Sequence, residues 1–397
     1  MNSLDVNKLL QDIFNDDVSF DLKARFDEKL EEFGVTKTKA LKLLSIDKDV
    51  FEDIINGTAK QPNLIHIVKV AEFLEVDVDN FIQMVLKNQN AENIASIDRA
   101  RKVRFLMKNF DVKALTKEGF FENVDDVDML VNRALHYFGY DSIRQFEDEL
   151  VRPFYSRSKR KFSDKMKDFW VRSAYQTFKK IDNPNEYDRE RLKDVVAKMK
   201  PYSEDVKNGL YTVCRALYNI GITVIFQNYL SSTHVRGATF VVNGRPCIVL
   251  TDYLKSYPTI WFTLLHELHH VLFDYDAIST NTYHLSDDDD LFLIEEKANS
   301  FARDYFMTKA DFDYIKTFIK NGYVVDSFAK DKEVHPSLVY SFYAWYQKEL
   351  FGKNFYGAFT KLMPDYKIAV SRLNPISWDE DSVHEISEKI KAIFEIN

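Results

Sequence analysis

Apolar residues run almost without interruption from Trp261 to Phe273 and fall on every side of the turn, the pattern of one buried helix. Upstream the period changes to two. Ile222-Thr223-Val224-Ile225-Phe226 predicts a strand, and Ala238 to Val242, then Asn243-Gly244, then Arg245 to Leu250, predicts a hairpin closed by a type I′ turn. Downstream, Ile294, Ala298 and Phe301 are spaced i, i+4, i+7, so the segment Leu293 to Ala302 predicts a second helix. Near the start, Thr36 can cap a helix from Lys37 to Leu44. A turn at Ser45-Ile46 leads to another helix, capped by Asp47 and ended by Asn56-Gly57. Val35, Ala40, Leu43, Ile46, Phe51, Ile54, Ile67, Val70, Ala71, Leu74 and Val76 supply the core of a compact four- or five-helix unit. The stretch 88–205 reads as helical, and Asp379 to Asn397 as an amphipathic capping helix.

The expected fold is mainly α with a small antiparallel sheet, an α+β arrangement. The expected parts are a helical unit at 1–90, a helical linker at 91–205, a sheet-containing domain at 206–345 and a helical extension at 346–397. Only 11 Gly and 9 Pro among 397 residues agree with long helices and few irregular loops. Cys214 and Cys247 form no CxxC pair and no disulfide framework, so they read as small buried hydrophobes of a reducing compartment. No basic start with an apolar core opens the chain, and no apolar stretch is long enough for a membrane span, so a cytoplasmic protein is expected. The net charge of −8 opposes indiscriminate nucleic-acid binding.

The buried helix contains His266-Glu267-Leu268-His269-His270. Two histidines four apart share a helix face, so His266 and His270 can offer neutral ring nitrogens to one Zn²⁺. Glu267, about 100° round the helix, can take a proton from water activated by that metal. This is a HExxH zinc-hydrolase signature. His269 falls outside the pair and is expected to solvate the helix or rim a cleft. A third ligand is needed. Glu295 is the candidate, with Asn299 on the same face as a supporting amide and Glu296 as its solvated neighbour and fallback. The intervening stretch from Asp274 to Asp290 reads as a solvated loop without chemistry. The hairpin either offers an exposed edge to an extended peptide or merely caps the core. His284, Tyr283 and His335 are weak candidates for stabilising an oxyanion.

Gly237-Ala238, Pro246 to Leu250, Trp261 to His270 and Glu295 to Ala302, taken together, resemble the ImmA/IrrE family of zinc metallo-endopeptidases. Phe328-Ala329 and Val334 to Val339 are similar to a downstream segment of members fused to antitoxin-like regulators. The likeness runs from Asn208 to Tyr340. It implies a gluzincin-like core with His266, His270 and Glu295 on zinc and Glu267 as general base, in an enzyme cutting regulatory proteins such as repressors. The chain departs from the family in carrying His269 where glycine is common, and Glu295-Glu296-Lys297 where a second glutamate often precedes the alanine.

The first 90 residues resemble an XRE-type helix-turn-helix domain, which reads DNA through its second helix. Here that helix would present Lys48, Asp49, Glu52 and Asp53, and from Asp21 to Lys87 there are 10 basic and 13 acidic residues. Carboxylates do not neutralise phosphates, so a protein-binding or dimerising role stands beside DNA binding. A separate basic segment, Arg152 to Lys180, holds ten Lys or Arg against two Asp, interleaved with aromatics. Lys159, Arg160 and Lys161 are its candidate phosphate contacts, the bland alternative being a solvated face over core aromatics. The expected function is zinc-dependent proteolysis coupled to transcription in prophage, mobile-element or toxin–antitoxin control. The alternative is a DNA-binding regulator or antitoxin whose zinc domain binds a partner without cutting it. Partners on these readings are a regulatory protein substrate, duplex DNA, a toxin or a second copy of the chain, and no membrane.

Overall fold

The computed structural model describes residues 22–395 except 57, 60–61, 79–80, 83–84, 86–90, 151–163, 282, 286–291 and 381, with backbone alone at 91–94, 150, 280–281, 283–285 and 292–294. The chain divides into two compact units, Met1–Arg104 and Phe105–Asn397.

The first unit contains α1 (Leu22–Glu32), α2 (Lys37–Leu44), α3 (Lys48–Ile55) and α4 (Leu64–Leu74). The Thr36 hydroxyl accepts the Lys39 amide and starts α2, and Ser45 in the left-handed region (φ 53°) stops it. Asp47 stands at the N-cap of α3 without a side-chain cap bond. Phe26, Leu41, Phe51, Ile54, Val70 and Leu74 close a core of their own. Leu43, expected inside, is 73% exposed because the inward stripe of α2 runs through Ala40, Leu41 and Leu44.

The second unit builds on α5 (Lys165–Ile181), α6 (Gly209–Tyr218), β1 (Thr223–Gln227), β2 (Gly237–Val242), β3 (Arg245–Thr251), α7 (Tyr257–Phe273), β4 (Tyr283–Leu285), α8 (Phe292–Phe306), α9 (Pro336–Phe351) and α10 (Val383–Glu395). Asn243 (φ 52°) and Gly244 (φ 75°) both take positive φ, as the two-residue turn between β2 and β3 requires. The sheet order is β1-β3-β2-β4, and β1 runs parallel to β3. The expected antiparallel sheet is therefore mixed. Residues 228–236 carry the chain across the end of β3, held by the Tyr229 amide on Asp252 (2.6 Å) and the Thr251 amide on the Arg236 carbonyl (3.0 Å). β3, inserted between β1 and β2, is buried on both faces from Pro246 to Thr251, and every residue of β1 is buried as well rather than alternate ones.

Strand period places the site. Phe240 packs against Phe178 of α5 (ring centroids 5.7 Å apart), whereas its neighbour Thr239 meets α7 on the other face. The C-terminal region belongs to this same core. Ile376 extends the β1 edge through two 2.8 Å backbone hydrogen bonds, to Phe226 and from Asn228, and Phe394 of α10 stacks on Tyr218 of α6 at 4.8 Å. The divisions expected at 205 and 345 thus do not separate cores, since one continuous apolar cluster runs from Phe105 to Phe394. No helix among the described residues is long and apolar enough to cross a membrane.

Candidate metal centre

Helix α7 begins after the extended Ser256, with Pro258 in its first turn, where a missing amide proton costs nothing. The helix starts four residues before the apolar run suggested and is buried along nearly its whole length. That burial fixes which way its polar residues point. His266 is 2% exposed, and His270 and Glu267 are fully buried.

The His266 Nε2 and His270 Nε2 atoms lie 3.3 Å apart, and the Glu295 carboxylate of α8 reaches them at 3.2 and 3.3 Å respectively. Each ring nitrogen meets a different carboxylate oxygen, Oε2 for His266 and Oε1 for His270. Three corners of a tetrahedron with zinc–ligand bonds of about 2.0–2.1 Å stand about 3.3 Å apart, so the donor set fits a zinc ion in both chemistry and spacing. Glu296, the fallback, points to solvent.

Asp274 supports this cluster. Its Oδ2 lies 2.9 Å from His270 Nδ1, which leaves Nε2 as the nitrogen facing Glu295. Sequence reasoning placed Asp274 at the head of a solvated loop, but it is the residue at the C-cap of α7, four positions beyond His270. The i, i+4 spacing of a histidine and a carboxylate was the available signal. Asn299, expected in this supporting role, is half-buried on α8. Burial opposes charge on His270, yet the hydrogen bonds to Asp274 and Glu295 and the nearby Glu267 outweigh it and raise its pKa to about 9. His269 is pushed the other way, to about 4, by burial and then by His270.

Nor does His269 solvate the helix. It is 7% exposed, packed 4.7 Å from the Phe273 ring and 5.5 Å from Phe301 of α8, so it fills the seam between the two helices. Glu267 faces β2, where the Thr239 hydroxyl donates to its Oε2 at 2.7 Å. The β2 edge suggested for peptide binding is covered along Ala238–Phe240 by β4.

The IrrE N-terminal-like domain, a peptidase family designated M78, matches residues 219–328. This stretch carries a metallopeptidase-type domain. No curated protein and no solved structure matches the chain. The IrrE-like stretch opens just before β1, includes the whole sheet together with α7 and α8, and closes in the helix Gly322–Asp331.

The remaining candidates fall elsewhere. His335 caps α9, its Nδ1 accepting the Ser337 amide at 3.1 Å, and so has a structural task. Tyr283 and His284 lie in β4, their side chains outside the described residues. Lys48, Asp49 and Asp53 are exposed on α3, while Glu52 is tied to Lys37. Lys159, Arg160 and Lys161 lie outside the described residues. In α5, Phe169, Trp170 and Phe178 are core, and Arg172 is buried over the Phe146 ring and donates to the Phe146 carbonyl at 2.8 Å. These are packing groups rather than a stacking platform for bases.

Proposed function

We propose that the chain is a zinc-dependent endopeptidase coupled to transcriptional control, cutting a repressor-like or other regulatory protein. The observation that carries this reading is the His266–His270–Glu295 cluster, with a buried carboxylate, Glu267, on the residue after the first ligand. His266, His270 and Glu295 hold the metal. Zinc bound there supplies Lewis acidity, polarising a scissile carbonyl and making water acidic enough to attack near neutral pH. Glu267 takes the proton of the attacking water and returns it to the departing amine. Asp274 fixes the His270 tautomer and ring plane, and the apolar seam of His269, Phe273 and Phe301 keeps the two metal-bearing helices together.

The regulatory half of the reading rests on the first unit. α2 and α3 are two eight-residue helices joined by three residues, 45–47, a connection that suits a helix-turn-helix. The exposed carboxylates of α3 favour a protein partner over phosphates for that face.

The test of proteolysis is Glu267→Gln in the full chain. The amide cannot accept the proton, so cleavage should fall by about 10²–10⁴-fold with metal content and melting temperature held. Unchanged cleavage of a regulatory protein by this variant would refute the enzymatic reading and leave a metal-dependent binding protein.

A further inference from the structure

Zinc proteolysis by Glu267 requires that a carboxylate on a helix hold one orientation, and the side chain of a glutamate has three rotatable bonds with which to lose it. Helix α7 supplies the backbone of Glu267 but does not by itself set where its oxygens lie. Strand β2 does. Gly237 and Thr239 are two apart in β2, so they share the sheet face that meets α7. The Thr239 hydroxyl is 2.7 Å from Glu267 Oε2 and 3.4 Å from the Glu267 carbonyl, so its single proton goes to the carboxylate. The other oxygen is governed by a missing side chain. A Cβ on Gly237 would sit 2.7 Å from Glu267 Oε1 and 2.5 Å from Thr263 Cγ2, closer than carbon and these atoms approach without displacement. Thr239 is 1% exposed and Glu267 is fully buried, so this pairing is not exchanged for solvent.

We infer that Thr239 is the positioning residue for the general base, with Gly237 keeping the space that Oε1 occupies; this rests on Glu267 being the base. A hydroxyl donating to one carboxylate oxygen locks the last torsion of the side chain and directs the other oxygen to the proton it must accept. The hydroxyl, and not the methyl group of Thr239, carries the effect. Thr239→Ser therefore preserves it and Thr239→Val, nearly equal in shape, removes it.

The test uses the full chain with Co²⁺ in place of Zn²⁺ and acetohydroxamic acid as probe, a small chelator whose hydroxyl proton is shared with a neighbouring carboxylate. Its dissociation constant is read from the visible absorption of the cobalt protein, so no peptide substrate is needed. Thr239→Val is expected to weaken the probe about 10- to 100-fold, the effect typical of losing a supporting hydrogen bond at a metal site, with one cobalt per chain retained. Thr239→Ser is expected to stay within about threefold of the parent, and Gly237→Ala to lose at least as much as Thr239→Val. Equal affinities in the Ser and Val variants would overturn the inference. Should the Val variant not fold, Thr239→Ala against Thr239→Ser decides in the same way. Glu267→Gln separates this from the wider reading. If it leaves the probe affinity unchanged, the base assignment itself fails; if it weakens the probe while Thr239→Val does not, only the positioning role falls.

Discussion

Asp274 and His270 stand one helical turn apart, and the carboxylate Oδ2 of the first lies 2.9 Å from Nδ1 of the second. The hydrogen bond spans the end of α7, just before a second, short helix, Tyr275–Asn281, begins. Replacing Asp274 by Asn keeps the shape but removes the negative charge that orients the ring and strengthens it as a ligand. Zinc affinity should fall about 10- to 100-fold, measured by competition with a chromophoric chelator, with little change in helix content. An unchanged affinity would show that Asp274 only caps the helix.

The two adjacent glutamates of α8 differ by one residue and should differ sharply in effect. Metal analysis of the purified chain is expected to give about one zinc per chain, since two histidines and a carboxylate leave one open position. His266→Ala and His270→Ala should remove it. Glu295→Gln should lower zinc content strongly and Glu296→Gln hardly at all, because Glu296 faces solvent. The reverse ranking would move the ligand by one residue.

Ile386 and Ile390 of α10 are each 1% exposed in the same core as the sheet. Ile390→Ala should destabilise the second unit by about 2–5 kcal/mol, the cost of a cavity in a packed interior. Chemical denaturation monitored at a core tryptophan reads this directly. A loss under about 0.5 kcal/mol, as for a surface position, would mean that the C-terminal helix is an appendage after all.

Asp311 gives a pH dependence remote from the metal. It completes a capping box with Thr308 and pairs with Lys332 at 2.6 Å. Burial pushes its pKa up, but the Lys332 and Thr308 hydrogen bonds prevail and hold it below the usual range. A depressed folded pKa stabilises above the unfolded value, about 3.9, and that contribution is lost as pH falls through the lower folded value. Asp311→Asn should therefore be less stable than the parent at pH 7, and the gap should close as the pH approaches 2. A gap independent of pH would assign the whole effect to neutral hydrogen bonding.

Legibility followed the range of the interactions. Helix α7 and its two histidines, the Asn243-Gly244 turn and the Thr36 cap depend on residues within a few positions of one another, and the structure places each within a few residues of where the pattern puts it. Long-range pairing was not legible. Ile222 to Phe226 read as a strand of an antiparallel sheet, and nothing local says that β3 inserts beside it and runs parallel. Leu43 shows the limit within a single short helix, where a one-residue choice of stripe decides inside from outside.

The sequence by itself determined the local pattern: which helix carries His266, Glu267 and His270, and that a glutamate on a following helix was the candidate to join them. Spacing along a helix is a local property, and side-chain direction follows from it. Tertiary structure alone decided which groups surround that chemistry. It brought Glu295 to both histidines from another helix, put Thr239 and Gly237 against the carboxylate of Glu267, and sealed His269 into a seam. It also merged the stretch from Phe105 to Phe394 into one core. Each of these joins segments tens to hundreds of residues apart, where the outcome rests on how whole faces pack and not on any periodicity the chain displays.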